Sequence, residues 1–162
     1  MAKETIKLKK YVDVIMEFEA SATITPGMLL KIYTDGTVRP HLPAGGNATK
    51  MFALEDELQG KGIDDNYSSG DKVQVWIGRA GDVVNALLKD DEVVVVGQYL
   101  ESDGEGRVQV HAGDVADSTD VTVQNAIVGI ALEGITAGAY GSGSDSSAGG
   151  EYHNPRIRMM VV

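Results

Sequence analysis

Short segments in which apolar and polar residues alternate recur along this chain, and turns rich in glycine separate them. Alternation with a period of two is typical of strands that bury one face. It predicts strands over 11–19, 28–33, 37–39, 72–77, 98–101, 106–111 and 156–162. No helical pattern extends beyond about three turns. The chain is therefore predicted to be all-β, a small β-barrel or compact β-sandwich with long loops and at most one or two short helices.

Four further segments are less regular. The apolar residues of 121–135 predict a central strand, whereas the pattern of 82–89 fits both a strand and a short helix. Residues 55–71 are polar and rich in glycine, which predicts a long surface loop. Four consecutive valines in Glu92–Val96 need burial on both faces, or a partner on one.

The length of 162 residues suits a single domain, which we divide into an N-terminal arm with the first strand at 1–19 and a β domain at 20–162. A glycine- and serine-rich segment at 136–150 is predicted to be flexible. Charge distinguishes the first ten residues from the rest of the chain: residues 1–10 carry a net charge of +3, and the remainder carries −13. A basic arm of this kind is expected to dock on an acidic protein partner. We predict that it uses Lys3, Lys7, Lys9, Lys10 and Tyr11.

Composition excludes several classes of function. Because the chain has no cysteine, disulfides, thiolate chemistry and cysteine zinc sites are excluded. The net charge of −10 disfavours direct binding to nucleic acid. The sequence shows neither a secretion signal nor a run of about 20 apolar residues, so no membrane partner is expected and the protein is expected to be made in the cytoplasm.

Catalytic motifs are missing from the sequence. There is no G-x-S-x-G elbow, phosphate-binding loop or H-E-x-x-H motif. His41 and His153 fall in predicted loops and His111 on the polar side of a predicted strand, so we expect no metal site. No catalytic residue and no cofactor is predicted, and the chain is not expected to be an enzyme.

Trp76 is either a core residue or a contact anchor, since aromatic side chains concentrate at protein interfaces. We predict a subunit interface at Trp76, Val94 and Val96. The exposed valines are expected to be buried when subunits associate.

An ordered set of short motifs resembles a known family. It comprises Asp35-Gly36-Thr37-Val38, Ala53-Leu54-Glu55, Gly60-Lys61-Gly62-Ile63-Asp64-Asp65, Tyr67-Ser68-Ser69-Gly70-Asp71-Lys72-Val73, Gly81-Asp82-Val83-Val84-Asn85-Ala86-Leu87, Gly97-Gln98-Tyr99-Leu100-Glu101-Ser102, Asp103-Gly104, Val128-Gly129-Ile130-Ala131-Leu132-Glu133 and Arg156-Ile157-Arg158. Taken together, these motifs resemble the head decoration, or capsid cement, proteins of tailed bacteriophages and related viruses.

The resemblance implies a structural virion protein. Such proteins bind the outer surface of an expanded capsid, commonly as homotrimers, and hold neighbouring subunits of the major capsid protein together. The expected partners are therefore the major capsid protein and further copies of this chain. The resemblance implies no catalytic residues.

Two alternatives remain open from the residues themselves. The acidic loops are compatible with a calcium- or carbohydrate-binding β domain on a virion or cell surface. The second alternative is a small β-barrel enzyme whose carboxylates meet across a subunit boundary, such as those of Asp64, Asp65 and Asp71.

Overall fold

The computed structural model describes residues 5–9, 14–112, 126–135 and 155–162. In these ranges the chain forms eleven short strands and one 3-10 helix. The strands are β1 (Lys7–Lys9), β2 (Ile15–Glu19), β3 (Leu30–Ile32), β4 (Val38–Pro40), β5 (Met51–Ala53), β6 (Lys72–Ile77), β7 (Val83–Leu87), β8 (Tyr99–Ser102), β9 (Val108–Val110), β10 (Ile127–Ala131) and β11 (Arg156–Val161), and the helix is Glu57–Gln59. The prediction of an all-β fold is confirmed.

The strands form three sheets. A six-stranded antiparallel sheet has the order β1-β7-β11-β10-β8-β9, a three-stranded sheet the order β2-β6-β5, and a third sheet pairs β3 with β4. Isolated bridges join the two smaller sheets, Leu29 to Phe52 and Ala20 to Val38. Among the strands described, none of the three sheets closes on itself. The fold is therefore a compact arrangement of three sheets and not a closed barrel, with the isolated Leu88–Val108 bridge linking the residue after β7 to β9.

Two apolar clusters form the core between these sheets. The larger one lies against the six-stranded sheet and includes Trp76, Phe52 and Met159. The smaller one includes Val73, Val75 and Leu30. Because neighbouring side chains on a strand point to opposite faces, β6 contributes Trp76 to the first cluster and Val75 to the second. The three-stranded sheet thus has a core on each face.

The predicted hairpins are confirmed. Gly36, with φ of 80°, makes the turn between β3 and β4, where the left-handed conformation favours glycine. Next to it, the Asp35 carboxylate accepts hydrogen bonds from Thr37 Oγ1 and from the Thr37 amide, which lowers the pKa of Asp35. The second hairpin joins β8 and β9 around Asp103-Gly104.

The ambiguous segment at 82–89 is a strand. Val84 and Ala86 point into the larger core, and β7 pairs with β11 on one side and with β1 on the other. Pairing with β11 and β1, which are distant in sequence, makes this segment a strand and not a helix. The local sequence pattern carries no information about these partners. The predicted central strand is also confirmed in its described part, since β10 lies between β8 and β11.

The prediction that residues 55–71 lie wholly on the surface is wrong. Glu55, Asp56 and Tyr67 are buried, although most of the remaining residues of this segment are exposed. Tyr67 donates a hydrogen bond to the Leu54 carbonyl (2.9 Å), and Glu55 accepts hydrogen bonds from the N-terminal segment. These partners satisfy polar groups that the sequence alone suggested would stay in water.

The final strand has one buried arginine. Ile157, Met159 and Val161 face the larger core as predicted, and Arg158 is exposed. Arg156, however, is 6% exposed and donates hydrogen bonds to Asp64 Oδ1 (2.8 Å) and to the Pro26 carbonyl (3.1 Å). The segment at 136–150 and part of the predicted strand at 121–135 lie outside the described residues. None of the described residues forms a helix long and apolar enough to cross a membrane.

Candidate interaction surface

A row of apolar side chains crosses the outer face of the six-stranded sheet. Val83 pairs with Met160, Met160 with Ile130, and Ile130 with Tyr99. Directly opposite residues on neighbouring strands have Cβ atoms about 4.5–5.5 Å apart, so these four side chains are contiguous. Their sequence neighbours, such as Val84 and Met159, face the core on the other side. We call Val83, Met160, Ile130 and Tyr99 the apolar row.

The apolar row continues into an exposed turn. Val95, Val96, Gly97 and Gln98 form this turn, which leads into Tyr99. It is fixed by hydrogen bonds from the Gln98 amide to the Val95 carbonyl (3.1 Å) and from the Gly97 amide to the Ala131 carbonyl (2.9 Å). Val95 and Val96 are each 62% exposed, and Tyr99 is 50% exposed. Contiguous exposed apolar groups of this kind mark interaction sites.

The three predicted interface residues have different environments. Val96 is exposed in the turn, as an interface residue must be in a single chain. Val94 is 2% exposed, because it bridges Ile135 through two hydrogen bonds of 2.8 Å and packs in the larger core. Trp76 is fully buried against Phe52 in the same core. In the isolated chain, Trp76 and Val94 therefore offer no surface to a second subunit.

The N-terminal segment is anchored on the body. Ile6 is fully buried in the larger core, and its amide lies 3.2 Å from both carboxylate oxygens of Glu55. The Glu55 carboxylate also accepts a short hydrogen bond from Thr5 Oγ1. Lys7 and Lys9 then pair with β7 at the edge of the six-stranded sheet. Lys3, Lys10 and Tyr11 of the predicted arm lie outside the described residues.

The acidic turn at 103–105 is neutralised from within the chain. Arg107 contacts the carboxylates of Asp103 (2.8 Å), Asp90 (3.0 Å) and Glu105 (2.5 Å). Partial burial of the guanidinium opposes its charge, but these three carboxylates outweigh that effect and raise the pKa of Arg107. The turn thus already holds a cation of the protein's own.

The carboxylates of the 55–71 segment also have internal partners. Asp64 binds Arg156, Asp65 accepts a hydrogen bond from the Gly62 amide (2.7 Å), and Asp71 accepts one from the Ser68 amide (2.8 Å). These contacts cap turns and bind a buried arginine. Within the described ranges, no group of three or more histidine or carboxylate residues is arranged to hold a metal ion.

Two of the histidines contact neighbouring residues of β8. His41 is 1% exposed and lies 2.8 Å from Ser102 Oγ through Nδ1, although the sequence predicted an exposed loop position. His111 Nδ1 lies 2.5 Å from Glu101 Oε2. Both histidines therefore have structural contacts that hold loops onto the sheet. His153 lies outside the described residues.

Sequence reasoning did not identify the apolar row. Tyr99, Ile130 and Met160 are far apart along the chain, and only the order of β8, β10 and β11 brings them together. A signal was present in part, because Tyr99 and Met160 each occupy the non-core position of an alternating strand.

Comparisons with known proteins give a fold relationship. No family model matches the chain, and no curated protein matches it. A solved structure that it resembles is the head fiber gp8.5 N base of bacteriophage phi29, with a TM-score of 0.53 and 11% sequence identity. The match covers 93% of this chain and 95% of the other. The two chains share a fold. At this identity the likeness carries no residue-level correspondence.

Proposed function

We propose that this chain is a structural protein of a phage virion and that it binds the outer surface of the head. The observation that carries the proposal is the shared fold with a head fiber base, which extends over nearly the full length of both chains. That comparison supports a phage head protein in general. The more specific role of cementing neighbouring major capsid protein subunits rests on the motif resemblance and on the surface described above.

The chemistry of the surface fits a protein that works by binding. Its exposed apolar groups are on short strands and a hydrogen-bonded turn, so an interface formed there is largely preformed. Its acidic turns are neutralised by Arg107 or capped by backbone amides. We therefore propose a binding role without catalysis, and no contact among the described residues favours the calcium or enzyme alternatives.

Self-association is the second part of the proposal. Burial of Val95, Val96 and Tyr99 against equivalent copies would remove their apolar surface from water, and each fully buried side chain of this size contributes about 1.5–3 kcal/mol. A homotrimer is the expected assembly, as the motif resemblance implies. Such an oligomer would present several copies of one capsid-binding surface.

Head binding is tested by mixing the purified protein with empty expanded heads and measuring co-sedimentation. We expect saturable binding at a fixed number of copies per head. Absence of binding to expanded heads would refute the proposal.

Self-association is tested by sedimentation of the double variant Val96→Ser, Tyr99→Ser. We expect it to be a monomer where the parent protein is a trimer. Leu58→Ser is the matched control, because Leu58 is 93% exposed on the 3-10 helix and is not one of the residues of this surface. An equal effect of both changes would count against the assigned interface.

A further inference from the structure

Strand β2 has one edge without a paired strand among the described residues. It pairs with β6 from Ile15 to Glu19, and among the described strands only β4 reaches its other edge, through the Ala20–Val38 bridge at the C-terminal end of β2. The hydrogen bonds at its ends show which backbone groups are used: the Ala20 amide donates to Asp71, and the Val14 carbonyl accepts from Ile77. In an antiparallel ladder, alternate residues point their amide and carbonyl groups to the same side. Residues 14, 16, 18 and 20 therefore face β6.

The backbone groups of Ile15, Glu17 and Glu19 face the other way. The next residue in this series is Ser21, whose amide donates to the Val38 carbonyl of β4 (3.1 Å). A strand of this chain thus already uses the same edge one step further on. The parallel Ala20–Val38 bridge pairs the Glu19 carbonyl with the Val38 amide. The edge therefore still offers the amides of Ile15, Glu17 and Glu19 and the carbonyls of Ile15 and Glu17, in the spacing that an added strand requires.

The other edges of the two larger sheets are protected. At β9, the Val108 carbonyl accepts from the Lys89 amide (2.9 Å) and the Val110 amide donates to Glu92 Oε1 (2.9 Å). At β5, the Ala53 amide donates to the Met28 carbonyl (3.0 Å). Strand β1 carries two lysines in three residues, which discourages strand addition.

The side chains of β2 point to the same conclusion. Ile15 is 42% exposed and Met16 46% exposed, on opposite faces of the strand. An edge with apolar groups above and below it gains burial when another strand is added. Native proteins normally avoid such an edge unless it is used.

The charge of β2 selects the partner. Glu17 lies beside the neutral amide of Gln74 (3.3 Å), and Glu19 contacts Lys72 at 3.4 Å in an exposed pair. An antiparallel copy of β2 that used all five residues would place Glu17 opposite Glu17, and one centred on Phe18 would place Glu17 opposite Glu19. Like charges directly opposite each other are destabilising. The edge therefore disfavours its own copy and favours a basic strand.

We propose that the open edge of β2 binds an extended segment of the shell protein that carries lysine or arginine opposite Glu17 and Glu19 and an apolar side chain beside Met16. The inference rests on the proposed function and deepens it, because it names the surface and the chemistry of the segment that is bound. Backbone hydrogen bonds at Ile15, Glu17 and Glu19 hold the segment, and the two carboxylates set its register.

The decisive variant is Glu17→Pro. Proline has no amide, and it is tolerated on an edge strand where the amide faces solvent. The fold is therefore retained, as circular dichroism and thermal unfolding would show, while binding to expanded heads falls by about tenfold or more. The double variant Glu17→Lys, Glu19→Lys keeps the backbone intact and should lose binding to a similar extent. Glu57→Lys, which reverses one carboxylate on the exposed 3-10 helix, is the control for reversal of charge outside β2, and Glu17→Lys alone is the variant that matches it in charge.

A second measurement does not depend on heads. The ¹⁵N-labelled protein is titrated with acetyl-Lys-Val-Lys-Val-Lys-amide at about millimolar concentration, where weak strand pairing becomes visible. We expect amide shifts concentrated at Ile15, Glu17 and Glu19, and none with the corresponding Glu-Val peptide. Equal shifts with both peptides, or shifts elsewhere, would overturn the assignment of the edge.

The outcomes separate the two proposals. If the parent protein binds heads and Glu17→Pro binds equally well, the edge assignment fails and the proposed function stands. If the parent protein does not bind heads, the proposed function fails, and with it the shell as the source of the strand. A dimer of the pure protein that Glu17→Pro abolishes would overturn the choice of partner in favour of a second copy.

Discussion

Two buried polar side chains in the segment between β5 and β6, those of Tyr67 and Glu55, have defined hydrogen-bond partners. The Tyr67 hydroxyl donates to the Leu54 carbonyl, and Glu55 receives the amide of Ile6. Burying such groups is tolerated because they are hydrogen-bonded. Substitution of Tyr67 or Glu55 should therefore lower the stability of the fold more than substitution of a neighbouring solvent-exposed residue.

Tyr67 should make stability depend on alkaline pH. Burial, followed by the nearby carboxylates of Asp56 and Glu55, raises the pKa of Tyr67 to about 12. The folded state thus favours the neutral phenol. The resulting contribution to stability is fully present below the pKa of tyrosine in the unfolded state, about 10, and is lost as the pH rises through the folded-state pKa of about 12. Tyr67→Phe should lower the free energy of unfolding by about 1 kcal/mol at pH 7, because the hydrogen bond is lost. Between pH 10 and 12 the variant should lose less stability than the parent protein does.

Urea unfolding at pH 7, 10 and 12 measures both effects. The difference in unfolding free energy between Tyr67→Phe and the parent protein should narrow over the alkaline range. A constant difference at all three values would show that Tyr67 does not contribute to the alkaline transition.

Glu55 should control access to the N-terminal segment. Glu55→Ala removes the acceptor of the Ile6 amide and of Thr5 Oγ1, so the cost should be about 1–3 kcal/mol for the unsatisfied buried donor. Limited trypsin digestion should then cut faster after Lys7 and Lys9, as mass spectrometry would detect. Glu57→Ala alters a nearby exposed carboxylate and should leave the digestion rate unchanged. Equal rates in both variants would contradict the anchor.

At the scale of single elements, β9 shows how an edge strand is closed. Its Val110 amide is capped by the Glu92 carboxylate, which follows the two-aspartate turn at 90–91. Glu92→Ala should leave this amide open, lower stability by about 0.5–1.5 kcal/mol and increase concentration-dependent association. Light scattering and thermal unfolding measure the two effects. Glu92→Gln retains an acceptor oxygen and should behave like the parent protein, and a similar defect in Glu92→Gln would exclude the cap as the cause.

Local elements were predictable from sequence because their signals are local. The hairpins β3–β4 and β8–β9 follow from alternation and from Asp35-Gly36 and Asp103-Gly104. The run of valines was predicted to need burial on both faces or a partner on one. Only Val94 is buried, and it bridges Ile135, which lies about forty residues further along the chain. The predicted arm stays a prediction, although Ile6 and Lys7 already contact the body.

The candidate surface was less predictable than the fold. Val96 was identified from its apolar run, whereas Tyr99 joins it only through the pairing of β8 with β10. Trp76 has the alternation of an outward residue, yet the three-stranded sheet has a core on each face. Neither the partner of a strand nor the second layer behind it is encoded in the strand's own period.

For the whole molecule, the shared sheet should couple the two cores into one cooperative unit. β6 contributes Trp76 to one core and Val75 to the other, so displacement of β6 disrupts the packing of both cores. Val75→Ala and Val84→Ala truncate one valine in each core, and each should cost about 1–3 kcal/mol. Trp76 is the single tryptophan. In both variants, unfolding followed by its fluorescence should have the same midpoint as unfolding followed by far-ultraviolet circular dichroism. Separate midpoints in Val75→Ala would show that the cores unfold independently.

The position of β11 has a consequence for synthesis of the protein. β11 follows every other strand along the chain, yet it lies in the interior of the six-stranded sheet, between β7 and β10. Until residues 156–161 have been synthesised, the pair β1-β7 and the group β10-β8-β9 have no described strand to join them. Their facing edges stay open until residues 156–161 emerge, and a nascent chain is then most vulnerable to pairing with its neighbours on a polysome.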